Sequence, residues 1–238
     1  MDKQKIVEIK KGQTGTGLLI ENDGYISIDA KENQVLKESI ENFKNGEANA
    51  LPRPFIVHAV FQKFGIENAN GRIYPEHILK REVEKYQAAI NERRAYGELN
   101  HPEESSIDLK SICMNITNLK WVGNTLVGDL EIPISEGFRR YGIGWTFADV
   151  VAQWLVSGLK IGVSSRGLGT VSQRGGKVVV NDDYEIVCWD VVSQPSTPNA
   201  WIDTDENNLR PYIQESKEDT KPVIKEDKFS KFDKWLNG

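Results

Sequence analysis

The chain is poor in the side chains that metal sites and disulfide-stabilised folds require. Its 238 residues include two cysteines and three histidines. Cys113 and Cys188 lie far apart in apolar strand patterns, which is typical of buried reduced thiols rather than of a secreted disulfide framework. The histidines are scattered, so no metal-ligand spacing can be drawn. We therefore expect no metal, no disulfide and no cofactor.

The sequence also lacks long hydrophobic runs and an excess of basic residues. The N-terminus has no apolar segment of signal-peptide length, and no later run is long enough to span a bilayer. The net charge is −5 and the two signs are mixed, so no basic face indicates nucleic acid or a membrane surface as a partner. These features predict a soluble globular protein that stays in the compartment where it is made.

Among the three histidines, His101 is the best candidate for a catalytic base. His58 lies in an apolar strand pattern, where a histidine is usually structural, and His77 starts a helical pattern, which indicates a solvated first turn. His101 follows a short polar segment and precedes Pro102, so a turn there can expose and aim the imidazole.

A hydroxyl nucleophile is predicted in the segment 159–169, where an apolar strand pattern runs into Ser164, Ser165, Arg166 and two glycines. Small residues let a substrate backbone approach, and main-chain N–H groups there can stabilise an oxyanion. The G-x-S-x-G pattern of α/β-hydrolases nearly matches, but that fold places its histidine after the acid, and no histidine follows His101. An ordinary glycine-rich turn is the structural alternative.

Asp190 is a carboxylate in an otherwise apolar strand pattern. The alternation predicts one face shared by Tyr184, Ile186, Cys188, Asp190 and Val192. A buried charge is costly unless it is paired, and a functional role is one of two interpretations that the pattern supports equally. An edge position or a backbone cap near the strand end is the alternative.

Periodicity predicts the order of helices and strands. A strand is expected at 55–61 and hairpins at 116–132 and 178–192. Helices are expected around three apolar stripes, with Glu82 on the solvent side of the second; the stripes are Leu36, Ile40 and Phe43, then Leu79, Val83, Tyr86 and Ile90, then Phe147, Val150, Val151, Trp154 and Leu155. We expect an N-terminal extension over 1–51, one domain over 52–209 and a flexible tail over 210–238.

Four phrases of the sequence resemble the prohead (capsid maturation) proteases of tailed bacteriophages. They are residues 70–75, 97–102, 162–169 and 190–201, in the family's order. The resemblance implies a serine endopeptidase distantly similar to the herpesvirus assembly proteases (assemblin). It also implies an α+β fold, a mostly antiparallel β-barrel flanked by helices.

The resemblance places the catalytic histidine at His101 and the nucleophile at Ser164. Herpesvirus relatives use a second histidine as the third member, and this chain has none after residue 101. Asp190 is therefore expected as the third member, with Glu98 as the alternative.

Two further residues are expected to support the reaction. Backbone amides near Ser165 and Arg166 would hold the oxyanion, and the Arg166 guanidinium would reinforce that charge. The alternative for Arg166 is a salt bridge that orders the loop.

The resemblance further implies the partners and the place of action. The substrates would be scaffold, core and major capsid proteins, cut after glutamate inside the assembling prohead in the host cytoplasm. The expected cleavage pattern has an aliphatic residue two positions before the glutamate. Ile213-Gln214-Glu215 fits it, so self-cleavage after Glu215 is predicted. A homo-oligomer stays open. The alternatives are a non-enzymatic phage structural or scaffold module on a related barrel and an esterase-like hydrolase.

Overall fold

The structure, a computed structural model, describes residues 17–20, 25–27, 30–102 and 104–193. The predicted tail over 210–238 and the cleavage-site residue Glu215 lie outside these ranges. The elements follow one another as β1 Gly17–Ile20, β2 Tyr25–Ser27, α1 Ala30–Lys44, β3 Phe55–Lys63, β4 Arg72–Ile73, α2 Glu76–Asn91, β5 Tyr96–Glu98, β6 Ile112–Val122, β7 Thr125–Ile132, α3 Glu136–Tyr141, α4 Phe147–Val156, β8 Gly162–Gly169, β9 Val171–Arg174, β10 Lys177–Val180 and β11 Glu185–Val192.

The strands form one large antiparallel sheet and one small sheet. The large sheet runs β1-β8-β2-β3-β7-β6-β5, and β11 pairs with the other side of β8. The small sheet has the order β4-β10-β9. The predicted α+β class is confirmed. A closed barrel is not confirmed, because no ladder joins the described residues of β5 to those of β11. Only an isolated bridge links Leu99, which follows β5, with Val191.

The predicted apolar stripes contribute to the core, except that Phe147 of the third stripe is 43 % exposed. The α2 stripe is buried as expected, and Leu36 and Ile40 of α1 join the same core cluster as the strands. The placement of Glu82 on the solvent side of α2 is wrong. Its side chain is only 3 % exposed. The buried carboxylate is stabilised by ion pairs with Arg81 and Lys85 and by the N–H of Ile186, which it accepts.

The first predicted hairpin is confirmed and the second is wrong. β6 pairs with β7 around Gly123, which has a positive φ of 62°. β10 pairs with β9 and β4, whereas β11 crosses to the large sheet and pairs with β8. Alternation identifies a strand but not its partner. A bulge between Ile186 and Cys188 also interrupts the predicted common face.

The described part of the segment expected as an extension packs onto the rest of the described fold. β1 pairs with the second half of β8 and β2 pairs with β3. Leu51 is buried, 1 % exposed, in the main core. The strand β8, which carries Ser164, is therefore held by N-terminal residues on one side and by β11 on the other.

Candidate active site

The pairing of β8 with β11 places Ser164 beside Asp190. The two residues are direct partners in the antiparallel register, and directly opposite residues have adjacent side chains on one face of the sheet. Both are fully buried. A hydroxyl and a carboxylate from distant parts of the sequence therefore meet on one face.

The end of β5 brings His101 to the same place. Asn100 has a positive φ of 69°, which asparagine tolerates better than most residues, and its N–H donates to the Val191 carbonyl at 2.7 Å. Gly97 lets β5 approach β11 closely, since a Cβ there would lie 2.3 Å from the Trp189 carbonyl oxygen. These local features set the position from which His101 leaves the sheet.

Ser164, His101 and Asp190 form a continuous chain of hydrogen bonds. Nδ1 of His101 lies 2.7 Å from Oδ2 of Asp190, and Nε2 contacts Oγ of Ser164. A carboxylate only accepts, so Nδ1 carries a proton and Nε2 offers its lone pair to the hydroxyl. The arrangement can therefore transfer the hydroxyl proton to the imidazole, as general-base activation of a serine requires.

Both carboxylate oxygens of Asp190 have partners. Oδ1 accepts the backbone N–H of Glu98 at 2.9 Å and the Cys188 thiol at 3.3 Å. Burial, followed by the charge of Asp190, raises the pKa of the Cys188 thiol, so the thiol stays protonated and donates. From the sequence, Cys188 was expected only as a buried reduced thiol in the core. Its position two residues before Asp190, on the same strand face, was the available signal.

The Arg166 guanidinium is bonded to carboxylates and carbonyls. Nη2 contacts Oε2 of Glu98 and donates to Oδ1 of Asp190 at 3.2 Å, while Nη1 donates to the Glu104 carbonyl at 2.6 Å. Burial acts to lower the pKa of this guanidinium, but its surroundings, including the charge of Asp190 and the hydrogen bond to Glu98, raise it above its ordinary value. The geometry matches the alternative prediction, a salt bridge that orders the loop, and not a guanidinium directed at an oxyanion.

Glu98 does not occupy the position of a third triad member. Its carboxylate accepts the Asp108 N–H at 2.9 Å and contacts Arg166, and it makes no hydrogen bond with His101 among the described contacts. The Glu98 side chain is directed toward Arg166. The backbone N–H of Glu98 therefore reaches Asp190, while the Glu98 carboxylate does not reach the imidazole. Asp190 is the carboxylate that contacts His101.

Ser165 lies on the opposite face of β8 from Ser164, as neighbouring strand residues must. Its partner in the register is Trp189, and its hydroxyl is buried with no hydrogen-bond partner among the described residues. The Ser165 side chain is therefore separated from the imidazole. The predicted oxyanion donors, the backbone N–H groups of Ser165 and Arg166, point to opposite edges of β8 because both residues lie in regular register with β11, so the two cannot converge on one oxyanion.

The glycines after Arg166 make room for an aromatic side chain. A Cβ at Gly167 would lie 2.5 Å from the Tyr184 ring. Tyr184 in turn packs edge-on against Tyr74, with ring centroids 5.2 Å apart. The phrase 70–75 and the glycines of β8 thus support the strand that carries Ser164, although the sequence analysis interpreted those glycines as space for a substrate.

The other two histidines have partners away from Ser164. His58 contacts Asp129 at 2.5 Å within β3 and β7, and His77 contacts Asp182 at 2.8 Å on the surface. Within the described ranges, no group of three His, Cys, Asp or Glu side chains could hold a metal ion.

None of the helices in the described ranges has the length and apolar character of a membrane span.

The Ser164 side chain is fully buried, and the His101 side chain is 8 % exposed. A substrate carbonyl can therefore reach the hydroxyl only after neighbouring groups move apart.

Comparison with known proteins gives consistent matches. The family described as prohead core protein serine protease matches residues 18–212. The prohead core protein protease of Enterobacteria phage T4 is 32 % identical over 164 residues, covering 66 % of this chain and 72 % of the relative. The solved structure of the bacteriophage T4 capsid assembly protease superimposes with a TM-score of 0.56 at 25 % identity, over 74 % of this chain and 96 % of that one. The chain therefore belongs to the family of prohead core protein serine proteases.

Proposed function

We propose that this chain is a serine endopeptidase in which Ser164 is the nucleophile, His101 the general base and Asp190 the third member of the triad. The observation that supports this assignment is the unbroken path from the Ser164 hydroxyl through both imidazole nitrogens to the Asp190 carboxylate. A structural protein gains nothing from a buried serine, histidine and aspartate in that order.

The reaction follows from the tautomer of His101. As the Ser164 oxygen attacks the scissile carbonyl, its proton passes to Nε2, and the resulting imidazolium is stabilised by Asp190. Nε2 then donates that proton to the leaving amine, which produces an acyl-enzyme. Water repeats the sequence with His101 again as base and releases the new carboxyl end.

The oxyanion is assigned to a backbone donor. Ser165 and Arg166 follow the nucleophile in regular register with β11, so their N–H groups point to opposite edges of β8 and at most one of them can face an oxyanion. Loss of such a donor typically costs about 3–4 kcal/mol of transition-state stabilisation. The Arg166 side chain is not used for this role, since its donors face Glu98, Asp190 and the Glu104 carbonyl.

The proposed substrates are the core and capsid proteins of the phage prohead. The T4 relatives are a prohead core protein protease and a capsid assembly protease, which supports this substrate class. Cleavage after glutamate, with an aliphatic residue two positions earlier, is the finer proposal. The distant similarity to herpesvirus assembly proteases rests on the sequence resemblance.

The experiment that tests the nucleophile compares Ser164→Ala with Ser165→Ala, a matched control of the same size one residue away. The substrate is a synthetic peptide of residues 209–221, and its control is the same peptide with Gln at position 215. We expect Ser165→Ala to cleave the first peptide and Ser164→Ala to lose roughly 10³-fold or more in rate. Loss of activity in Ser165→Ala alone, or no cleavage by the wild-type chain, would overturn the assignment.

Self-cleavage is tested on the whole chain. Mass spectrometry of the purified wild-type protein should detect a product ending at Glu215, and the Ser164→Ala protein should stay intact. A wild-type chain that cuts the peptide while retaining its own residues 216–238 would contradict self-cleavage but not the protease assignment.

A further inference from the structure

A buried ion pair between Glu98 and Arg166 lies directly against the proposed triad. The two side chains are 2 % and 0 % exposed. Glu98 also donates its backbone N–H to Asp190 Oδ1 at 2.9 Å, and Arg166 donates from Nη2 to the same oxygen at 3.2 Å. Nε of Arg166 lies 3.0 Å from Oδ2 of Asp190 as a charge contact. One residue pair therefore fixes both oxygens of the carboxylate that contacts His101.

The charges of this buried group balance only in one protonation state. Two carboxylates, Glu98 and Asp190, face one guanidinium, so one negative charge is left over while His101 is neutral. An imidazolium at His101 compensates that charge. This is the state that forms when the base accepts the hydroxyl proton, so the group favours the product of proton transfer.

The same pair also holds the loop that follows His101. Arg166 Nη1 donates to the carbonyls of Glu104 and Ser106, at 2.6 Å and 3.5 Å, and Glu98 Oε1 accepts the Asp108 N–H at 2.9 Å. Glu104, Ser106 and Asp108 are themselves exposed, and these bonds connect their backbone to the buried ion pair. The pair therefore fixes His101 from two directions, through Asp190 and through the chain after Pro102.

We propose that Glu98 and Arg166 are positioning residues that hold Asp190 and the loop after His101 in the geometry required for proton transfer from Ser164. The proposal rests on the proposed function. It replaces two expectations from the sequence, Glu98 as a triad member and Arg166 as an oxyanion donor, with one shared role behind the triad. The pair acts through Asp190 and does not contact the reacting atoms.

The test is Glu98→Gln, with Glu82→Gln as the matched control. Glu82 is also a buried glutamate that bonds to arginine and to a backbone N–H, but its partners lie on α2 and at Ile186. Glu98→Gln removes the charge that holds Arg166, which allows Asp190 and His101 to shift. A displacement of about 1 Å at a catalytic group can reduce rate about 100-fold. We therefore expect kcat on the 209–221 peptide to fall by 10- to 100-fold at unchanged KM.

A second readout separates positioning from stability. The downfield proton resonance of His101 Nδ1–H, assigned by its loss in His101→Ala, reports the bond to Asp190. We expect Glu98→Gln to displace or broaden this resonance and Glu82→Gln to leave both the resonance and kcat unchanged. If Glu98→Gln does not fold, Arg166→Lys is measured instead, because a lysine cannot bridge two carboxylates in the planar geometry of arginine.

The outcomes distinguish this proposal from the proposed function. Loss of kcat and a shifted resonance in Glu98→Gln or Arg166→Lys support the positioning role. Wild-type kcat and resonance in the folded variant, with Ser164→Ala inactive, would overturn the positioning role alone. Full activity in Ser164→Ala would instead overturn the proposed function.

Discussion

Two aspartates of this protein are almost fully buried, and their carboxylates are stabilised in different ways. Asp149, in the first turn of α4, accepts the N–H groups of Ser135, Trp145 and Thr146 at 2.7, 3.1 and 3.2 Å. All of these donors are backbone amides from within 14 residues of it in sequence. Asp190 accepts from His101, Arg166, Cys188 and the Glu98 backbone, which come from three separate segments of the chain.

The contrast distinguishes a carboxylate that caps a helix from the one proposed as a triad member. A carboxylate whose partners are backbone amides and hydroxyls of nearby residues, as for Asp149, has no titratable group to act on, and its role ends with capping the helix. A carboxylate that contacts an imidazole can orient that imidazole and stabilise its charged form. Burial alone does not distinguish the two cases, whereas the chemical identity of the partners does.

Asp190→Asn should have the largest effect of the changes that test this comparison. The asparagine amide has the size of the aspartate carboxylate, but its NH₂ group donates to Nδ1 of His101. That hydrogen bond selects the wrong tautomer of the imidazole. We expect kcat to fall about 10⁴-fold, as for the same change in a serine protease triad, while the variant stays folded. Peptide cleavage and near-UV circular dichroism check the two parts. An Asn variant with near wild-type kcat would show that Asp190 is as structural as Asp149.

Asp149→Asn should do the reverse. Only one acceptor oxygen would remain for the N–H groups of Ser135, Trp145 and Thr146, and the new amide would place its own donors against them. We expect the free energy of unfolding to fall by about 1–3 kcal/mol with kcat unchanged for the folded protein. Urea unfolding measured beside peptide cleavage checks this. Loss of activity in the folded Asp149→Asn variant would remove the distinction drawn above.

The contribution of Asp149 should also depend on pH with a definite sign. Burial acts to raise the pKa of Asp149, but hydrogen bonds from Ser135 and Thr146 lower it by more than burial raises it. The pKa of Asp149 is therefore below its ordinary value. A depressed pKa in the folded state stabilises the protein above the ordinary aspartate pKa of about 3.9 and loses that effect as the pH falls through the folded value. The stability difference between wild type and Asp149→Asn should therefore be constant near neutrality and shrink below about pH 4. Urea unfolding between pH 3 and pH 7 tests this, and a difference that does not change with pH would contradict it.

The sequence indicated the members of the proposed site but not how they are supported. His101 could be selected because the chain has three histidines and the other two stand in structural contexts, whereas the choice of Ser164 over Ser165 came from the family resemblance. The isolated acid at Asp190 was visible from the period-two pattern. The predicted hairpin between β10 and β11 was wrong, so the register that pairs Ser164 with Asp190 could not be derived before the structure.

The support of the site depends on pairing between strands, which local patterns do not encode. Glu98 and Arg166 were each assigned to a reactive role, because a single sequence does not reveal that two charges 68 positions apart neutralise each other. Glu82 was placed in solvent for the same reason, since its partner Ile186 is distant in sequence. Helix stripes such as that of α2 were predictable because all of the relevant spacing is local.

Glu136→Gln should have the smallest effect and completes the comparison with a carboxylate that is paired but not buried. Hydrogen bonds from Arg139 and then Arg140 lower the pKa of Glu136 to about 2, and Arg53 also contacts it. Its side chain is 42 % exposed, so water and salt screen these interactions and both partners lose side-chain freedom when they pair. We expect urea unfolding and peptide cleavage by Glu136→Gln to match the wild type within error, at low and at high salt. A loss of stability as large as that of Asp149→Asn would mean that charge pairing on the surface stabilises this fold as effectively as buried hydrogen bonds. The distinction between Asp149 and Asp190 would then rest on the chemistry of their partners and not on burial.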